Sequence, residues 1–113
     1  MTTKDKFLGE FEQFLLLSIL KLGDEAYGTT IRQLLADKIE RDVTIGALYT
    51  TLDRLEKKGF VTSKMGEATS ERGGRAKKYF RVSALGEHAL KRSKQALQVM
   101  WQDVALQAGH SYE

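Results

Sequence analysis

The sequence predicts an α+β domain, mainly helical with one small β-hairpin, and three observations lead there. Helical apolar periodicity runs through three successive stretches of the first 58 residues. A shift to β-branched and aromatic residues follows in Phe60–Met65, FVTSKM, and Lys77–Ser83, KKYFRVS. A helical stripe then returns from Ser83 to about Gln107. With 113 residues the chain has room for one modest core. It has no cysteine, which excludes disulfide frameworks and thiolate metal sites.

The first helix is expected from Lys6 to Leu22. Phe7, Phe11, Phe14 and Leu15 lie along it, and Leu8, Leu16, Leu17, Ile19 and Leu20 widen its apolar stripe, so it needs more than one packing partner. Its last turns belong in the core. Its first turns, with Phe7 and Phe11, are candidate contacts with a second subunit. Gly23-Asp24 supplies the stop. A second helix from about Tyr27 to Lys38 carries Ile31, Leu34 and Leu35, and Ile39 to Val43 is a short connection. Thr44 then caps a third helix, Thr44 to Lys58. Ile45, Leu48, Leu52 and Leu55 fall on the face expected to be buried, with Gly46, Thr50, Asp53, Arg54 and Lys57 opposite and Tyr49 on the flank. Gly46 and Ala47 are small enough for this helix to approach a groove end-on. Two short helices so closely joined, the second with a polar outer face, make a helix-turn-helix.

The two strands follow it directly. Phe80 and Val82 are expected to face the helices, and Tyr79 and Arg81 the other side. The polar, glycine-rich loop Gly66 to Ala76, GEATSERGGRA, joins the strands. A hairpin behind a helix-turn-helix is a winged helix, with Arg72, Gly73, Gly74 and Arg75 at the wing tip and Lys77 and Lys78 beside it. Arginines there suit the negative potential of a narrow minor groove or its flanking phosphates. Charge is distributed to match. From Arg54 to Arg81 there are nine Lys/Arg against three Glu, a balance of +6, while the rest of the chain sums to −3 within a net +3. A polyanion would meet that region, and beside a helix-turn-helix and wing the expected one is double-stranded DNA.

The runs LGEFEQFLLLSILKLGDEAYGTTIR, VTIGALYTTLDRLEKKGFV and ERGGRAKKYFRVSALGEHAL resemble the PadR family of bacterial winged-helix transcriptional repressors, in its short branch with one helix after the wing. The resemblance runs from about Leu8 to Leu90. It implies a homodimer, a palindromic operator and repression relieved by a small molecule. By motif, Tyr49, Thr50 and Arg54 fall on DNA-facing recognition-helix positions, and Arg72, Arg75 and Lys77 on wing positions. Ser83-Ala84-Leu85-Gly86 departs from the Thr-Pro that commonly starts the family's last helix, yet Ser83 is itself a competent N-cap.

The expected DNA-contacting set is therefore Thr44, Gly46, Tyr49, Thr50, Arg54, Lys57, Arg72, Gly73, Gly74, Arg75 and Lys77. The last helix carries Leu90, Leu97 and Val104 at heptad spacing, with Ala96, Met100 and Trp101 alongside. A helix this long cannot bury that stripe within one small domain, so a partner helix from a second copy is expected, with Phe7 and Phe11 adding to the interface. Met100 and Trp101 are candidates for a small aromatic or hydrophobic effector in a slot near the dimer centre, floored by Met100 and by Phe7 or Phe11. The alternative for Trp101 is a purely structural filler. The chain thus divides into a DNA-binding part, 1–83, a dimerisation helix, 84–108, and a tail, 109–113, expected to be disordered.

Other classes find little support. His88 and His110 lack zinc-site spacing, and the carboxylates are scattered over caps and turns, so no catalytic site, metal or cofactor is expected. The N-terminus is unlike a secretory signal, and the longest uncharged apolar run, Phe14 to Leu20, is too short to span a bilayer. A soluble, cytoplasmic protein is expected. The alternative function, a winged-helix module that binds another protein without reading DNA, would call for an apolar patch on the Thr50 face and no basic wing.

Overall fold

The computed structural model describes residues 7–66 and 76–107. Its elements are α1 (Glu10–Leu22), α2 (Gly28–Ile39), α3 (Ile45–Lys57), β1 (Val61–Met65), β2 (Lys78–Val82) and α4 (Ala84–Trp101), with a short 3-10 turn, Gly23–Glu25, between α1 and α2. This is the α+β winged helix-turn-helix that the sequence predicts.

The cap of α1 explains why it starts at Glu10 and not at Lys6. Glu12 Oε1 accepts a hydrogen bond from the Gly9 N–H at 2.8 Å, which satisfies one of the donors a helix start leaves open. The residue just before has another task. Leu8 is buried and donates its N–H to Ser93 Oγ of α4 at 2.9 Å, stitching the two ends of the described chain together. At the start of α2 the Tyr27 N–H donates to Thr30 Oγ1 at 3.0 Å. At the start of α3 the Ala47 N–H donates to Thr44 Oγ1 at 3.1 Å, the cap that the sequence foresees.

Leu15 and Leu16 of α1, Ile31 and Leu35 of α2, and Leu48, Leu52 and Leu55 of α3 form the centre of the core. Ile45 does not join them. It is 50% exposed, although periodicity puts it on the same stripe. At about 100° per residue, Ile45 and Thr51 flank Leu48 at equal angles on opposite sides. The helix is rolled so that Thr51 is buried and Ile45 faces outward.

β1 and β2 pair antiparallel from Val61↔Val82 to Met65↔Lys78. The Phe80 N–H also donates to the Ala26 carbonyl at 2.9 Å, and Tyr27 bridges to Tyr79, so the chain entering α2 lies along the outer edge of β2. Phe80 and Val82 are buried against the helices and Arg81 is exposed, as their alternation predicts. Tyr79 is half-buried, its ring edge-on to Tyr27 at 5.3 Å between centroids.

α4 leaves the hairpin in close contact with it. Ser83 Oγ accepts from the Gly86 N–H at 3.0 Å and donates to the Gly59 carbonyl at 2.6 Å. A Cβ on Gly86 would overlap the Phe60 carbonyl oxygen and lie 2.8 Å from Val82 Cγ1, so only glycine allows the first turn this close. Ala89 and Ser93 continue the buried face. Beyond Ser93 no described residue of the helix is fully buried, and Leu97, Met100 and Trp101 are 59%, 73% and 51% exposed. The helix ends at Trp101, short of the expected Gln107. Asp103 adopts φ 62°, a left-handed conformation that aspartate tolerates, and the Val104 N–H turns back to the Trp101 carbonyl at 3.1 Å. Val104 therefore lies outside the helix and does not extend its heptad stripe.

Candidate nucleic-acid interface

The polar side of α3 is open. Thr44, Gly46, Thr50, Asp53, Arg54 and Lys57 are all exposed, while the opposite side holds the core leucines. Tyr49, on the flank, is half-buried, with its ring 6.4 Å from that of Phe80. Its hydroxyl end lies against Gly28, the first residue of α2, where any Cβ would overlap it. That contact sets the first turn of α2 directly on α3, and with it the angle of the helix-turn-helix.

Tyr49 lines a cleft of about 500 Å³ between the start of α2 and the base of the wing. Tyr27, Thr29, Lys77 and Lys78 also line it, and Lys77 Nζ stands 4.1 Å above the Tyr27 ring. The fold thus unites Tyr49 and Lys77, which the sequence separates by most of the hairpin. The wing residues Arg72, Gly73, Gly74 and Arg75 lie outside the described residues.

Ion pairs divide the basic residues in a way that charge counting does not show. Arg54 Nε lies 3.7 Å from Glu12 Oε2 of α1, and Lys58 Nζ lies 3.4 Å from the same oxygen. Lys78 reaches Glu56 at 3.9 Å, and Arg81 reaches Asp24 at 3.2 Å. Among the described residues, Lys57, Lys64 and Lys77 have no carboxylate partner within salt-bridge distance, nor does Asp53 pair with Lys57. Glu12 is the residue that sequence reasoning missed here. Its place three residues after Gly9 is a local signal for a capping carboxylate that went unread, while the approach of α1 to the end of α3 is a tertiary fact.

A second surface lies between α1 and α4. Leu17, Leu20, Leu90, Leu97 and Trp101 line an apolar groove of about 780 Å³, rimmed by Glu87, Lys91 and Lys94. Met100, Phe7 and Phe11 are not among the residues that line this groove within one chain. Phe11 is turned to another side of α1, where it and Phe14 lie beneath the Arg41 guanidinium at 5.0 and 5.7 Å, and Arg41 is held by Glu10 at 3.3 Å. Phe7 is half-exposed ahead of the helix. No helix among the described residues is long and apolar enough to cross a membrane, and no group of three or more metal-ligating side chains is assembled there.

A capped helix with an open polar face, set by a tyrosine on the helix before it and followed by a two-stranded wing with lysines at its base, defines a winged-helix DNA-binding transcription regulator. The chain belongs to the PadR-like family of transcriptional regulators, which matches it over residues 16–92. Family members are transcription factors and not enzymes. No curated protein matches the chain. Among solved structures, it is similar to a PadR-like transcription factor from Bacteroides fragilis at 26% identity and a TM-score of 0.66, over 80% of this chain and 82% of that one. A PadR family transcription regulator from Clostridium difficile R20291 is also 26% identical, with a TM-score of 0.63, over 80% and 90% of the two chains. A transcriptional regulator from Clostridium thermocellum shares the fold at 24% identity and a TM-score of 0.68, over 80% and 85%.

Proposed function

We propose that this DNA-binding regulator is a cytoplasmic, homodimeric repressor that recognises a palindromic operator and is released by a flat hydrophobic molecule. The observation that carries the reading is the uncovered end of α4, where Leu97, Met100 and Trp101 stand exposed beside Leu17 and Leu20 of α1. A second copy of the same surface is the self-complementary cover for such a stripe. Residues 1–83 then bind DNA and residues 84–108 pair the subunits, with Phe7 and Leu90 at the margins of the interface.

In the DNA-bound dimer each α3 lies end-on in the major groove. Thr44 and Gly46 bring backbone close to the duplex, and Thr50 reaches base edges. Tyr49 and Lys77 present a hydroxyl and an ammonium to one phosphate from their shared cleft. Lys57 and Arg54 meet phosphates farther along, and Arg72 to Arg75 follow the neighbouring minor groove or its backbone. Half-sites are then about one helical turn apart, or a multiple of that.

The effector site is the groove between α1 and α4, where Trp101 offers a face for stacking and the leucines offer apolar walls. A guest wedged there changes the angle at which the two α4 helices meet, and thereby the spacing of the recognition helices. To test this reading, purified protein selects duplexes from a random pool, and the bound sequences are read. Two-fold symmetric sequences that silence a promoter in a purified transcription system, with silencing lifted by a Trp101-quenching aromatic dye, are the expected result. Asymmetric sequences, or a promoter left active, count against it.

A further inference from the structure

The reading end of α3 is unusual in what it offers to a base pair. The four residues of its first turn are Ile45, Gly46, Ala47 and Leu48, and the last of these is fully buried. From Ile45 to Thr51 there is no Arg, Lys, Asn or Gln, the side chains that make paired hydrogen bonds to guanine or adenine in the major groove. Arg54 is the first of that kind, more than two turns in and placed against Glu12. What the first turn does present is one large apolar side chain, Ile45, half-exposed where the rest of its stripe is fully buried. In a helix each Cβ tilts towards the N-terminus, so a residue in the first turn leads when the helix enters a groove end-on. Thr50, exposed nearly a turn and a half later and roughly 140° round the helix, carries a methyl group beside its hydroxyl.

We propose that α3 recognises its operator chiefly through the C5-methyl groups of thymine, with Ile45 as the main reader and Thr50 supporting it. The proposal rests on DNA binding through α3 and adds the chemical basis of specificity. Thymine is the one base that presents a hydrocarbon group in the major groove. Isoleucine against that methyl removes apolar surface from water on both partners. Against the amino group of cytosine or adenine it would strip a donor of water without replacing the bond. The same contact thus favours thymine and disfavours the others.

Uracil lacks only the methyl, which makes it the decisive probe. The full-length protein is titrated against its selected duplex and against copies in which each thymine in turn is replaced by uracil. One or two positions per half-site are expected to lose about fourfold in affinity, the ratio that follows from losing one buried methyl-sized group. In the Ile45→Ala protein, affinity for the unmodified duplex falls, and the difference between thymine and uracil disappears at those positions alone. Ile45→Val, which keeps a branched side chain, retains part of it. Unchanged thermal unfolding shows that each variant is folded, as expected for an exposed position. A wild-type protein that binds its duplex equally well with every uracil copy overturns the inference and leaves DNA recognition by α3 standing. An Ile45→Ala protein that keeps the full thymine preference does the same. Failure to retain any duplex overturns DNA binding itself, and the inference with it.

Discussion

Arg54 of the third helix and Glu12 of the first approach within 3.7 Å, Nε to Oε2, across a packed interface that also brings Lys58 to the same carboxylate. Glu12 is the most buried carboxylate in these pairs, and its other oxygen caps its own helix through Gly9. One side chain therefore holds the start of α1 and the end of α3 together. Glu12→Gln keeps an acceptor for Gly9 but removes the charge. The expected loss of stability is about 1 kcal/mol, limited by the solvent that screens the partly exposed Arg54 and Lys58. Urea unfolding checks it, and the loss should shrink at high salt.

Thr50 is exposed on the polar face of α3. Thr50→Ala should relax discrimination by up to about 0.8 kcal/mol at particular base pairs, the worth of one buried methyl-sized group. Arg54→Ala should lower affinity while preserving the preferred sequence, because this side chain is held beside Glu12. Binding to a panel of single-base operator variants separates these outcomes. An unchanged preference in Thr50→Ala would mean that another face of α3 reads the bases.

Arg72→Ala together with Arg75→Ala should weaken binding to every sequence nearly alike if the wing touches only phosphates. If it enters the minor groove, the loss should grow with flanking A·T content. Competition between operators that differ only in their flanks distinguishes the two.

Leu97→Glu should convert the proposed dimer to a monomer without unfolding the domain, because Leu97 is exposed within one chain. Sedimentation equilibrium reads the first effect and circular dichroism the second. By contrast, Leu52→Ala should cost about 2 to 5 kcal/mol, since Leu52 is fully enclosed.

The helices, the caps at Thr44 and Ser83 and the inward faces of the hairpin were legible because each follows from local chemistry. Apolar period, hydroxyl caps and strand alternation act within a few residues. What escaped the sequence depends on packing. Ile45 and Thr51 are equivalent by period, and only the roll of α3 on its neighbours decides which is buried. Val104 continues a heptad in sequence, but the backbone turns at Asp103 once no partner supports the helix within the chain. Arg41 stands over Phe11 from a connecting segment that carries no helical signal, so the sequence does not announce their meeting. The two-sided use of Glu12 and the meeting of Tyr49 with Gly28 likewise join elements far apart in sequence.

In the proposed dimer, α3 and the wing bind DNA through base and phosphate contacts. The most direct test is the affinity of the full-length protein for its selected duplex as a function of salt. A dimer making about 6 to 10 phosphate contacts should lose roughly a thousandfold or more in affinity between about 50 and about 200 mM salt, with a linear dependence of log affinity on log salt. A flat response, or equal affinity for selected and scrambled duplexes at every salt concentration, would contradict it.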